Sequence, residues 1–178
     1  MRLRQLRRAV VAIDYETANY TIRDAATASG IELNTLRSFY GREHFRIVGS
    51  DEKKGRGVAA AMTLPDVLCT AVAAPLWRAG AHPSVAFDAG YDFAYRANEI
   101  DAAGTARKPS HLFNEGSTVL LLWNSLRKIR IEPMTEALTF RQLFLLGGSD
   151  LPATPTVLLL NEVIDNALLA LGLDPRDQ

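Results

Sequence analysis

Cysteine is nearly missing from this 178-residue chain, with Cys69 standing alone. One thiol excludes an intrachain disulfide, and the expectation is a reducing, cytoplasmic setting. Histidine is equally sparse: His44, His82 and His111 are scattered, without metal-ligand spacing, so no metal site is expected. Long apolar runs are absent too. None approaches the roughly 18 residues that a membrane-crossing helix needs, so no membrane partner is expected. Arg2, Arg4, Arg7 and Arg8 precede an apolar run, residues 9–13, that is too short for a signal-peptide core of about 7–15 residues. That start reads as a frayed amphipathic segment or as a basic arm touching phosphates. Catalytic motifs are missing as well: there is no Gly-rich phosphate loop, nucleophile elbow or paired-histidine helix. Gly147, Gly148, Ser149 and Asp150 lack the lysine of a phosphate turn. The carboxylate pairs Asp88 with Asp92 and Glu99 with Asp101 have no supporting groups nearby. The expectation is a non-enzyme without a cofactor.

Net charge is also missing, since 20 Lys+Arg balance 20 Asp+Glu. The balance hides an asymmetry. Residues 1–82 hold 12 basic against 8 acidic side chains, and residues 83–178 hold 8 against 12. A basic amino half and an acidic carboxy half imply units with different partners.

Local patterns give the expected elements. Thr21 followed three residues later by Asp24 forms a capping-box pattern, and Ser29 with Gly30 stops the helix it opens. A second helix is expected over residues 32–43, with Leu33, Leu36 and Tyr40 as its apolar stripe. Two short helices joined by a tight turn make a helix-turn-helix. Residues 45–48 and 58–62 are expected to be two strands of a hairpin whose tip carries Lys53, Lys54 and Arg56. Thr63, Pro65 and Asp66 open a third helix that runs towards Gly80, holds Cys69 as a small core residue, and kinks or splits at Pro75. Residues 84–117 read as a short helix plus loops. Strands are expected at 118–123, 128–133 and 156–160, and a short helix starts at Thr139. Asn161 is expected to cap a last helix carrying Val163, Ile164, Ala167, Leu168 and Leu171. The fold class is α+β: an amino-terminal winged helix-turn-helix domain (residues 1–82) followed by a small α/β domain (residues 83–178).

Tyr20, Thr21 and Ile22, the turn at Gly30 and Ile31, and the run Thr35, Leu36, Arg37 resemble the amino-terminal domain of the MerR family and related excisionase-like proteins. Phe39 and Tyr40 stand close to that family's paired tyrosines. Residues 62–68 resemble the segment leading from the wing into the next helix. The resemblance covers about residues 20–82. It departs from the family at residues 38–40, in lacking the long coiled-coil helix, and in lacking metal-sensing cysteines. It implies a MerR-like DNA-binding domain joined to an unrelated carboxy-terminal domain.

A recognition helix needs an inward apolar stripe and outward polar groups that meet base edges in the major groove. Glu32, Asn34, Thr35, Arg37, Ser38 and Arg42 lie off the stripe. Arg37 is the candidate for a bidentate contact to guanine and Asn34 for adenine. Tyr40 either packs in the core or directs its hydroxyl to a phosphate. Thr21 joins the set at the first helix start, and Lys53, Lys54 and Arg56 fit a wing that grips backbone phosphate. The expected function is a sequence-specific transcriptional regulator that binds double-stranded DNA as a homodimer. The carboxy-terminal domain would offer a surface to RNA polymerase or a small-molecule effector, and Leu168, Leu169 and Leu171 a possible dimer face. Two alternatives stand beside it: a phage-like packaging protein (small terminase subunit) or excisionase, and a winged-helix interaction module without DNA binding.

Overall fold

Two threonines open helices in the same way. Thr21 begins α1 (Ile22–Ser29): Asp24 Oδ2 accepts the Thr21 amide at 2.7 Å while the Thr21 hydroxyl accepts the Asp24 amide at 3.3 Å. This reciprocal box satisfies donors that the first helical turn would otherwise leave unpaired. Gly30 ends α1 at φ 63, a left-handed conformation that glycine adopts without a Cβ penalty. The chain turns directly into α2 (Leu33–Gly41). Thr63 and Asp66 repeat the box at the start of α3 (Leu64–Arg78), and His82 caps α4 (Pro83–Tyr95). β1 (Ser117–Trp123), β2 (Lys128–Met134), β3 (Thr156–Leu159) and α5 (Leu160–Ala170) follow. The computed structural model describes residues 13–45, 47–48, 61–97, 106–135 and 155–177.

The strands form one antiparallel sheet in the order β2-β1-β3, with Leu120 opposite Ile131 on one side and Leu158 on the other. Helices packed beside a separate antiparallel sheet make an α+β fold. α3 is its centre. It buries side chains around nearly its whole circumference, among them Leu64, Val67, Leu68, Val72 and Leu76. A helix apolar on all sides needs cover on all sides, and α1, α4 and α5 pack against it. Each fully buried leucine-sized side chain contributes about 1.5–3 kcal/mol relative to exposure. One cluster of buried apolar residues runs from Ala25 in α1 through α3 and α4 to Leu120, Ile164 and Leu168. It therefore crosses the sequence position 82/83. A second cluster, Val119, Leu121 and Trp123, lines the opposite face of β1, as the strand's twofold alternation requires.

Several expectations change in the structure. Residues 45, 47 and 48 form no strand, and the Val48 amide instead donates to Asp66 Oδ1 at 2.9 Å. Met62 bridges Tyr20, with N–H···O distances of 2.8 and 3.0 Å, so the segment before α1 is its partner. The stripe of α2 is Leu36 with Phe39, while Tyr40 is exposed. At about 100° per residue Phe39 and Tyr40 flank Leu36 on opposite sides, so periodicity does not choose between them; packing does, since Trp77 and Phe87 meet Phe39. Pro75 removes a backbone donor, yet α3 continues to Arg78 because surrounding helices hold it. Residues 83–95 form a thirteen-residue core helix instead of a short one among loops. Asn161 does not cap the last helix. Leu159 takes that position, and Asn161 Oδ1 accepts the Thr118 amide at 2.7 Å, joining α5 to β1. Within the last helix Leu168 is fully buried, leaving Leu169 alone of the proposed dimer trio strongly exposed. The helix expected at Thr139 lies outside the described residues.

Candidate nucleic-acid interface

The side chains of α2 divide by burial. Leu36 and Phe39 face inwards, and Phe39 makes edge contacts with Trp77 and Phe87 at 5.2 and 5.9 Å between ring centroids. Asn34, Arg37 and Gly41 are exposed on the opposite side at spacings of three and four, so they share one outward strip. Neither Asn34 nor Arg37 side chain donates a hydrogen bond to another described residue. Arg42, exposed, ends the helix with its amide on the carbonyls of Ser38 and Tyr40. Tyr40 is 40% exposed and meets Phe45 edge-on at 5.7 Å. Ser38 is half-buried.

Two predicted contacts are occupied by local structure. Thr21 is committed to its capping box, with its hydroxyl 2.8 Å from Asp24 Oδ2. Thr35 donates both its amide (2.9 Å) and its hydroxyl (3.2 Å) to Glu32 Oε2. Glu32 thus caps α2, and amides of Asn34 and Thr35 hold its carboxyl below the usual glutamate range. A carboxylate therefore sits where the helix dipole is most positive. It discourages phosphate from that end of the helix. Lys53, Lys54 and Arg56 lie outside the described residues.

What holds the helix pair was not apparent from periodicity. Arg78, in the last turn of α3, donates to the carbonyls of Ser29 (3.1 Å) and Gly30 (2.6 Å). The guanidinium satisfies carbonyls left over at the end of α1 and fixes the turn to α3. A lone arginine before Gly80 carries no motif, so only the tertiary contact reveals it. Asp66 is the second hidden element. Fully buried, it accepts from Thr63 and Val48 and also from the Tyr95 hydroxyl at 2.6 Å. It thereby joins the residues after α2, the start of α3 and the end of α4. Burial, and the hydrogen bond to Asp66, push the Tyr95 phenol upwards.

Arg107 is the third. It is 1% exposed and donates to the carbonyls of Asp92, Phe93 and Arg96 at the end of α4, and to those of Lys108 and His111. Burial lowers its guanidinium to about 10. Its work is to close α4, and it stands apart from the outward strip. Among the described residues no cluster of three metal-ligating side chains occurs, and no helix is long and apolar enough to cross a membrane. In comparison with known proteins, the chain matches no protein-family model and no curated protein.

Proposed function

We propose that this chain is a sequence-specific double-stranded-DNA-binding protein, a transcriptional regulator built on a MerR-like winged helix-turn-helix. The observation that carries this reading is the outward strip of α2. Asn34 and Arg37 project from a helix whose other face is locked by Leu36 and Phe39, and whose preceding turn is clamped by Arg78. A base-reading helix needs both properties, because bidentate contacts to base edges tolerate little positional error. Arg37 fits guanine and Asn34 adenine, each adding about 1–3 kcal/mol of discrimination. Lys53, Lys54 and Arg56 supply sequence-independent phosphate attraction. Binding as a homodimer to two half-sites would raise affinity, and the acidic carboxy half is the surface for RNA polymerase or an effector.

The test is selection of bound sites from random duplex DNA. The expected result is a defined site that Arg37→Ala blurs at one position. Lys53→Ala with Lys54→Ala weakens all sequences alike and reduces the salt dependence. A second reading, a protein-interaction module, is favoured by the zero net charge and by Glu32 and Glu43 at the two ends of α2. Absence of any enriched sequence, with no salt-sensitive binding, overturns the regulator and supports the module.

A further inference from the structure

A cavity of about 490 Å³ lies beside the exit of α2, between residues 43–45, 47 and 48, α3 and α4. Its volume falls in the range typical of small-molecule sites, about 300–1,000 Å³. Phe45 and Phe87 form its aromatic wall, stacked at 4.9 Å with an interplanar angle of 19°. Ile47 and Cys69 add apolar surface, and burial raises the Cys69 thiol, so at neutral pH it is a protonated apolar group and no nucleophile. Tyr91, 39% exposed, and Val48, 40% exposed, stand at the mouth.

The charges around this cavity are unequal. Arg96 lines it, but its guanidinium is paired with Asp92 at 2.9 Å and lies over the Tyr91 ring, 5.8 Å from its centroid. Glu43 and Asp88 line it too, and neither carboxylate has an ion-pair or hydrogen-bond partner among the described residues. Two carboxylates without a partner among the described residues favour positive charge beside this apolar lining. The carboxylates attract it by Coulomb's law. We propose that this cavity binds an amphipathic organic cation, an amine or quaternary ammonium carried on an apolar body. The apolar part packs on Phe45, Phe87 and Ile47, and the cationic head lies between Glu43, Asp88 and Tyr91. An anion of the same shape is repelled.

The test uses the full chain without DNA, so its outcome is independent of the DNA-binding proposal. Titration calorimetry with benzyltrimethylammonium is compared with benzenesulfonate, and backbone amide shifts at Val48, Phe87 and Tyr91 locate the site. The expected result is saturable binding of the cation alone, weakened by added salt. Glu43→Asn with Asp88→Asn lowers the affinity about tenfold. Both positions are exposed, and asparagine accepts the left-handed conformation of Glu43 (φ 58), so the double variant keeps the fold. No saturable heat, equal binding of the sulfonate, shifts confined to another surface, or unchanged affinity in the double variant overturns the proposal.

Discussion

Arg78 shows how much one side chain contributes when it meets backbone groups that nothing else satisfies. Its two hydrogen bonds to the Ser29 and Gly30 carbonyls are charge-assisted, and Gly30 itself is fixed in a left-handed conformation that leaves those carbonyls directed at α3. The guanidinium is exposed, so solvent competes for it. Arg78→Ala is expected to destabilise the fold by about 1 kcal/mol, read as a lower urea midpoint with an unchanged slope. Arg78→Lys, whose ammonium is more strongly hydrated and not held in a planar fork, recovers only part of that loss. If α2 reads DNA, Arg78→Ala also weakens binding without changing the preferred sequence, because Arg78 positions the helix and touches no base. At this scale the sequence was legible where a pattern is local. The Thr21–Asp24 and Thr63–Asp66 boxes depend on residues three apart and were found. The targets of Arg78 lie 48 and 49 residues away and were not.

Helices α3 and α4 depend on closeness. A Cβ built at Gly90 lies 2.2 Å from the carbonyl oxygen of Cys69, a rigid backbone atom, so the two helices approach at a distance only glycine permits. Gly90→Ala is expected to force them apart and cost about 1–3 kcal/mol, with Gly90→Val worse. Chemical denaturation of both variants checks this, and an unchanged Gly90→Ala midpoint would show that α3 and α4 slide apart freely. Helix length was legible only where the composition carried it. Pro75 argued for a break in α3, but α1, α4 and α5 enclose it, and packing outweighs one lost hydrogen bond. The three alanines and one glycine of residues 83–95 give a faint periodicity, since small side chains that let helices touch look featureless in a sequence.

For the molecule as a whole, the half-buried phenols set an alkaline limit. Burial raises Tyr15, Tyr20 and Tyr95 above the ordinary tyrosine value. A group whose folded value lies above its unfolded one stabilises the fold fully below the unfolded value, about 10 for tyrosine, and loses that contribution as pH rises through the folded value. The denaturation midpoint is therefore expected to fall as pH rises above about 10. Tyr95→Phe makes that fall shallower, although it lowers stability at neutral pH by leaving Asp66 one donor short. A decline of equal steepness in Tyr95→Phe would place the alkaline limit elsewhere.

The sequence by itself determined the mixed α+β class, the helix starts at Thr21 and Thr63, the helix-ending Gly30, and the strand segments within 117–134 and 156–159. Each rests on neighbours within a few residues, where hydrogen-bond geometry and side-chain period leave little freedom. It also marked Asn34 and Arg37 as lying off the stripe of α2, and they are exposed. Only the tertiary structure decided that Phe39, not Tyr40, anchors that helix, that Met62 pairs with Tyr20, and that one apolar cluster extends from Ala25 to Leu168. It alone brought Asp66, Val48 and Tyr95 together and enclosed a cavity among Glu43, Phe87 and Asp88. Those arrangements join residues far apart in the chain, and burial and close packing, which no local pattern encodes, select them.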